Sequence, residues 1–167
     1  MEMEKNIIIM VNLFEGEYLN GKKWNGKGFN INNIKEYEIK DGNGKVKEYH
    51  YNGKLVFEGE YLNGEKNGKV KEYYYKNGKL IFEGEYLNGE KNGKGKEYND
   101  YDGKLKFEGK YLKGERNGKG KEYYDYNGEL IFEGEYLNGK RNGKGKEFNI
   151  DNEELIFEGK YLKGERN

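Results

Sequence analysis

Few residues of this chain have side chains that could carry out catalysis. His50 is the single histidine, and cysteine, serine and threonine are absent from the 167 residues. A lone histidine cannot build a catalytic triad or a metal site, because both need several converging groups. His50 lies just before a predicted turn, where a solvated strand position is expected. We therefore predict no catalytic nucleophile, no metal site and no bound cofactor.

Glutamate is the remaining candidate for chemistry, because two carboxyl groups can act as an acid and base pair. The glutamates recur in every repeat of the chain, as Glu83 and Glu85 do, and this recurrence is typical of solvent-facing residues. No unique pocket is indicated that would shift their pKa values. Elements such as Gly118-Lys119-Gly120 lack the following serine or threonine and the helix of a phosphate-binding P-loop. The sequence predicts a protein that is not an enzyme.

The composition gives two conflicting signals about order. Charged residues make up 37% of the chain and the mean hydropathy is −1.26, values typical of disordered chains. Aromatic residues reach 16%, however, which disordered chains rarely do. Lysine plus arginine and aspartate plus glutamate both number 31, so the net charge is zero. This balance argues against nucleic acid as a partner, although lysines and aromatic residues interleave.

A repeat resolves this conflict. The segment Phe-Glu-Gly-Glu/Lys-Tyr-Leu recurs every 25 residues, beginning at Phe57, Phe82, Phe107, Phe132 and Phe157. A further copy begins at Phe14, and a degenerate repeat covers about 30–52. We interpret the whole chain, 1–167, as a single repeat array that opens with a strand over 7–14. Regular repeats of 25 residues run from 57 onward.

Each repeat is predicted to be a β-hairpin. Its first strand resembles 80–87, a loop over 88–93 reverses the chain, and a second strand resembles 94–98. The next turn contains Asn-Gly or Asp-Gly in four repeats, and these dipeptides favour type I′ turns. These pairs are Asn52-Gly53, Asn77-Gly78, Asp102-Gly103 and Asn127-Gly128. The last repeat has Asn152-Glu153 there, so we expect a looser turn.

Alternation along the strands assigns the faces of the sheet. Phe82, Gly84 and Tyr86 should point to one side and the intervening glutamates to the other. A two-residue turn would place Tyr98 opposite Phe107, so that one face carries an aromatic row. The same register sets Glu72 opposite Glu83, which is mildly unfavourable. Single hairpins are marginal in water, so stability should grow with the number of stacked repeats.

These residues resemble MORN (membrane occupation and recognition nexus) repeats. The pattern is Tyr/Phe-x-Gly-x-Tyr/Trp, then Asn-Gly, then Gly-x-Gly, as in 133–139 followed by 143–145. The run from 118 to 130 is most similar to the MORN variant of bacterial proteins. Departures are the long period, the degenerate repeat, and Val46 and Val70 in place of the second glycine. The resemblance implies an all-β fold: an elongated, single-layer antiparallel meander of repeated β-hairpins, a MORN-type solenoid with a groove.

The resemblance also implies a function. MORN arrays act as protein-binding scaffolds, occur in membrane-junction proteins, and are attached to kinases or methyltransferases; the variant occurs in predicted bacterial antitoxins. We expect a scaffold for protein–protein interaction or self-assembly through an aromatic-lined groove. One alternative is a peripheral module that binds anionic phospholipid. The basic residues that would contact the lipid headgroups are predicted in loops: Lys91, Arg116, Arg141 and Arg166. A glutamate directly precedes three of them, which weakens the positive charge of such a patch. The other is the targeting portion of a larger enzyme or antitoxin-like protein.

Two sets of residues are candidates for partner binding. The groove candidates are Trp24, Tyr61, Phe82, Tyr86, Tyr98, Phe107, Tyr111, Phe132 and Tyr136. Trp24 is placed in the loop of the first repeat, as an anchor for a partner or as a cap of the array. The final strand, around 156–162, is expected to lack a partner on one side, and unpaired edges recruit other chains. Ile156, Phe157 and Tyr161 are therefore candidates for a homodimer contact.

The expected location is the cytoplasm, with membrane association if anionic lipid is the ligand. The first residues are acidic and the apolar run 7–11 is short, unlike a secretory signal. No stretch is long enough to span a bilayer as a helix.

Overall fold

The computed structural model describes residues 13–167, and these residues form fourteen β-strands and no helix. Glycine in twelve of the fourteen strands and the absence of a 3.6-residue apolar period disfavour helix. The strands are β1 Phe14–Leu19, β2 Lys22–Phe29, β3 Lys35–Ile39, β4 Gly44–Tyr49, β5 Leu55–Leu62, β6 Glu65–Tyr73, β7 Leu80–Leu87, β8 Glu90–Tyr98, β9 Leu105–Leu112, β10 Glu115–Tyr123, β11 Leu130–Leu137, β12 Lys140–Phe148, β13 Leu155–Leu162 and β14 Glu165–Arg166. None of the described residues lies in a helix that could cross a membrane.

The strands are antiparallel and follow chain order. Strands β1 to β3 form one sheet, and β4 to β14 form a sheet of eleven strands. The prediction of an all-β meander of hairpins is confirmed. Residues 7–12 of the predicted first strand lie outside the described residues, and β1 begins at Phe14. The degenerate segment 30–52 contains β3 and β4, which are shorter than the strands of the regular repeats.

The chain forms two compact units. Among the described residues, the N-terminal unit comprises 13–80 and 86–89, and the C-terminal unit comprises 81–85 and 90–167. Each has its own buried apolar residues. Those of the N-terminal unit are Phe14, Tyr37, Ile39, Val46, Phe57, Val70 and Tyr86. Those of the C-terminal unit are Phe82, Phe107, Tyr111, Phe132, Tyr136 and Tyr161.

The tight two-residue turns lie at the corner that follows Tyr-Leu. Lys113 and Gly114 have φ angles of 50° and 84°, and Asn138 and Gly139 have 50° and 77°. Two consecutive positive φ angles define the type I′ turn, which matches the twist of the strands on either side. The second strand therefore starts directly after the glycine, so β8 begins at Glu90. The predicted loop 88–93 was too long.

The Asn-Gly and Asp-Gly pairs at the other end of the hairpin form wider turns. The Gly103 N–H donates to the Asn99 carbonyl over 2.9 Å, and the Asn99 N–H donates to the Lys104 carbonyl over 2.8 Å. Asp102 does not have a positive φ, so the predicted type I′ turn is wrong there.

The turn of the last repeat keeps this geometry without a glycine. Glu153 takes a φ of 55°, and its N–H donates to the Asn149 carbonyl over 2.9 Å. The expectation of a looser turn was therefore wrong.

These wider turns shift the register by one residue. Phe107 lies opposite Glu97, and Tyr98 lies opposite Leu105, with an irregularity between Glu97 and Tyr98. The prediction that Tyr98 faces Phe107 is wrong, because it assumed a two-residue turn. Lysine now lies opposite glutamate on the other face, as Lys96 does opposite Glu108. A two-residue turn would have set Glu97 opposite Glu108, so the observed register places an attractive pair where a repulsive one would have been.

Candidate functional site

The aromatic face of the C-terminal unit is the side of the sheet that carries Phe82, Phe107, Phe132 and Phe157. The rings of Phe82, Phe107 and Phe132 each lie over one glycine of their own strand and one of the next strand, and these glycines form a glycine floor. Phe157 lies over Gly159 of its own strand. A Cβ added at Gly109 would lie 2.6 Å from Cζ of Phe107, and one at Gly120 would lie 2.5 Å from it. Because these contacts are far below van der Waals distance, only glycine lets the ring lie this close to the backbone. Phe107 and Phe132 are fully buried as a result.

Tyrosines fill the spaces between the phenylalanines. Tyr111 contacts Phe82 and Phe107 with ring centroids 5.6 Å apart in both cases and interplanar angles of 90° and 84°. Tyr136 and Tyr161 repeat this arrangement one and two repeats further on. Edge-to-face pairs at these distances are the favoured geometry for aromatic rings and contribute roughly 0.5–1.5 kcal/mol each. The rings therefore form one interlocked row within the unit.

A cation covers each phenylalanine from the solvent side. The guanidinium carbon of Arg116 lies 4.0 Å from the centroid of Phe107, and that of Arg141 lies 4.1 Å from Phe132. Lys91 Nζ is 4.0 Å from the Phe82 centroid. These cations lie in β8, β10 and β12, and Arg116 and Arg141 lie opposite Tyr111 and Tyr136. The prediction that these cations lie in loops is wrong, because the tight corner turns end two residues before them.

Glutamates join the cations into an ion-pair ladder, which is the alternating series Lys91, Glu97, Arg116, Glu122, Arg141, Glu147 and Arg166. Arg116 contacts Glu97 at 2.5 Å and Glu122 at 3.3 Å. Arg141 contacts Glu122 at 2.5 Å and Glu147 at 2.7 Å. Each inner member therefore has a partner on both sides. The side chains of Glu122 and Arg141 are only 19% and 23% exposed, which limits solvent screening.

The ladder perturbs the ionisation of its members. Burial alone would raise the pKa of Glu97, but the hydrogen bond and charge of Arg116 outweigh it and lower that pKa. Burial would likewise lower the pKa of Arg116, and Glu97 raises it instead. Burial, and then the negative charge of Glu97, raises the pKa of the Tyr111 hydroxyl. Glu97 and Arg116 therefore keep their ordinary charges near neutral pH, and neither is poised for proton transfer.

The N-terminal unit uses the same plan with lysine in place of arginine. Lys66 Nζ lies 4.3 Å from the Phe57 centroid and 2.7 Å from Glu72. Val70 replaces the floor glycine, and its Cγ1 would lie 2.8 Å from a Cβ at Gly59. Lys23 bonds Glu48 at 2.5 Å in the same way and lies 5.1 Å from the Phe14 centroid.

The structure separates the predicted groove residues into three groups. Tyr61, Phe82, Tyr86, Phe107, Tyr111, Phe132 and Tyr136 lie on the aromatic faces of their units, where all but Tyr61 are buried. Tyr98 lies on the opposite face, where its hydroxyl donates to Glu83 over 2.6 Å. Trp24 lies in β2 rather than in a loop, and its Cζ3 would lie 2.7 Å from a Cβ at Gly42. A partner would meet the ion-pair ladder before it met the phenylalanine rings.

The predicted self-association edge is partly paired. Strand β14 pairs with the end of β13, setting Tyr161 opposite Arg166, and the Asn167 N–H donates to the Lys160 carbonyl over 2.8 Å. The prediction that this strand lacks a partner is therefore wrong for its last residues. Tyr161 is buried, whereas Ile156 is 55% exposed. Self-association through Ile156, Phe157 and Tyr161 stays a prediction.

No group of histidine, aspartate or glutamate among residues 13–167 could hold a metal ion. His50 is in a ring cluster instead, with its centroid 3.9 Å from Tyr51 and 4.8 Å from Tyr75. These contacts give it a packing role in the turn.

The ion-pair ladder and a second surface were not predicted from the sequence. The ladder partners are six or nineteen residues apart, a spacing that becomes visible only once the corner turn is assigned correctly. The second surface is the outer face, which is the side that carries Glu108, Lys110 and Leu112 in β9. It was treated as solvated charge.

Comparison with known proteins agrees with this geometry. The family model described as MORN repeat matches residues 57–79, 82–103, 107–127 and 132–149, just over half of the chain. The chain belongs to the MORN repeat family. The matched segments cover the four consecutive repeats whose phenylalanines are most deeply buried, so the MORN pattern here is the pattern of the glycine floor, the ring and the tight corner. The curated proteins contain no match to this chain.

Proposed function

We propose that this MORN protein is a non-catalytic scaffold that binds a protein partner. Its aromatic rings are already used by the chain itself, because cations and glutamates of the same sheet cover them. What remains for a partner is a set of apolar side chains that recur at one position of successive repeats and stay about half exposed.

Five leucines carry this proposal. Leu62 and Leu87 of the N-terminal unit are 48% and 51% exposed. Leu112, Leu137 and Leu162 of the C-terminal unit are 48%, 49% and 54% exposed. They occupy the same corner position at 25-residue intervals. Single exposed leucines are ordinary on protein surfaces, but their recurrence at one position of successive repeats within each unit is typical of an interaction surface.

The test begins with the full chain used as bait in native extract of its source cells. The matched variant carries Leu112→Asn, Leu137→Asn and Leu162→Asn, which leave the buried rings intact. A protein captured by the native chain alone is then purified and titrated against both forms. We expect saturable binding by the native chain and at least about tenfold weaker binding by the variant. Burying the exposed half of each of the three leucines contributes roughly 1 kcal/mol, and a loss of about 1.4 kcal/mol corresponds to tenfold weaker binding.

Two outcomes would contradict the scaffold proposal. One is that no captured protein binds the purified native chain saturably. The other is that the chain binds vesicles of phosphatidylserine and phosphatidylcholine while binding no protein, which would identify a lipid-binding module instead.

A further inference from the structure

The outer face of the C-terminal unit contains lysines that have no ionic partner. Lys94 lies directly opposite Lys110, and Lys144 lies directly opposite Lys160. All four side chains are exposed, and no ion pair within residues 13–167 involves them. Like charges directly opposite one another on a sheet destabilise it. The arrangement therefore has a cost that the fold does not require.

Other repeats show the same position without this cost. Lys119 lies opposite Glu135 in the C-terminal unit, and Lys45 lies opposite Glu60 in the N-terminal unit. Lys110 and Lys160 thus stand where those repeats have glutamate. Lysine at these two positions makes the row mostly positive instead of alternating in charge. Lys119 adds to it, because the preceding Gly118 lies beside Lys110: a Cβ at Gly118 would lie 3.5 Å from Cδ of Lys110.

The leucine row runs beside these lysines. Leu112 and Leu162 follow Lys110 and Lys160 by two residues, so alternation sets them on the same outer face. Leu137 follows Glu135 in the same way. A partner on this face therefore meets three leucines in line. The charged residue beside the first and the third leucine is a lysine, and the one beside the middle leucine is Glu135.

The spacing of the two rows selects the shape of the partner. Successive leucines belong to alternate strands, which lie about 9.6 Å apart at about 4.8 Å per strand. Seven residues of an α-helix rise about 10.5 Å. Over three leucines the mismatch stays below about 2 Å, which side chains absorb. A helix with one apolar residue per heptad can therefore contact all three.

We propose that the outer face of the C-terminal unit binds an acidic amphipathic helix of a partner protein. Its apolar residues contact Leu112, Leu137 and Leu162, and its carboxylates pair with Lys110 and Lys160. The partner carries a neutral or basic residue in the middle heptad, opposite Glu135. This inference rests on the scaffold proposal and gives it a location and a ligand chemistry.

The test uses the full chain and a synthetic helical peptide of three heptads. The peptide has leucine at one position of each heptad, glutamate beside the first and third leucines, and alanine beside the second. The control peptide has lysine in place of both glutamates. Titration calorimetry at low salt should show saturable binding of the first peptide and at least about tenfold weaker binding of the control. Raising the ionic strength from about 0.05 M to about 0.15 M should weaken the binding, since the pairs are exposed.

Charge variants separate binding from folding. The variant carrying Lys110→Glu and Lys160→Glu recreates the pairs found in other repeats, so it should unfold at the same or a higher temperature while binding at least about tenfold more weakly. Glu135→Lys should strengthen binding of a peptide with glutamate in all three heptads.

Several results would overturn the inference. They are absence of peptide binding by the native chain, equal binding of the two peptides, and full binding by the double variant. Binding of vesicles of phosphatidylserine and phosphatidylcholine that is lost in the double variant, without peptide binding, would assign the face to lipid. A captured protein partner that still binds the double variant would leave the scaffold proposal standing and refute only this site.

Discussion

Replacement of Gly120 by alanine tests the glycine floor beneath Phe107. In an ordinary strand, alanine is more stable than glycine by roughly 0.5–1 kcal/mol, because it loses less conformational entropy on folding. Here the added Cβ would lie 2.5 Å from Cζ and 2.6 Å from Cε2 of Phe107. The ring must therefore move by about 1 Å, although it is fully buried and Arg116 lies 4.0 Å above it.

The expected cost combines three contributions. Forced overpacking costs roughly 1–3 kcal/mol, and disturbing the Arg116 contact with the ring costs roughly 0.5–1 kcal/mol. The intrinsic preference for alanine offsets roughly 0.5–1 kcal/mol of this. We expect Gly120→Ala to lower the free energy of unfolding by about 2 kcal/mol, measured by urea denaturation followed by circular dichroism.

A double-mutant cycle identifies the cause of that loss. In a chain that already carries Phe107→Leu, the smaller side chain leaves room for the Cβ. Gly120→Ala should then be neutral or slightly stabilising, which gives a coupling energy of about 2 kcal/mol. Equal costs in the two backgrounds would refute the argument that the ring requires the glycine.

Three further predictions follow from the ladder, the turns and the outer face. Glu122→Gln should destabilise the chain by about 2 kcal/mol, because it leaves Arg116 and Arg141 without their shared, partly buried carboxylate. The control Glu133→Gln on the outer face should cost less than about 0.5 kcal/mol. Similar losses of unfolding free energy for the two variants, measured by urea denaturation, would contradict the ladder. Glu153→Gly should raise the free energy of unfolding by about 1 kcal/mol, and Glu153→Asn by less, because the φ of 55° strains a glutamate backbone. A lower free energy of unfolding in either variant would refute the argument that Glu153 is strained in this turn. Burial and a hydrogen bond to Glu108 raise the pKa of Tyr123 to about 12. The stability that this hydroxyl contributes should be complete below about pH 10 and be lost as the pH rises towards about 12. Ultraviolet titration of the native chain and of Tyr123→Phe should show that Tyr123 ionises late, and ionisation near pH 10 would contradict the hydrogen bond.

The fold could be predicted from sequence because its signals are periodic. The 25-residue recurrence and two-residue alternation define strands, faces and the aromatic row without any knowledge of turn geometry. The location of the tight turn could not be predicted, because Asn-Gly occurs at both ends of the hairpin, as Asn77-Gly78 and as Asn88-Gly89. The dipeptide signal cannot choose between them, and lysine at 113 shows that asparagine is not required at the tight corner.

The error in turn assignment explains what was missed at the candidate site. Moving the tight turn to the corner brings Arg116 into β10 and opposite Tyr111, directly above Phe107. The one-residue shift at the wider turn brings Glu97 onto the same face and turns Tyr98 away from it. Neither shift changes the hydrophobic pattern of the strand centres, so the pattern alone could not reveal the ladder.

Hydroxyl-radical footprinting with mass spectrometry, in the absence and presence of a protein partner, tests the central claim most directly. The claim is that the chain itself closes its aromatic face and that partners bind elsewhere. It predicts that Phe107 and Phe132 stay unmodified in both states, while Leu112, Leu137 and Leu162 are modified in the free chain and protected in the complex. Modification of Phe107 and Phe132 in the free chain, followed by their protection in the complex, would show an open aromatic groove and contradict the account.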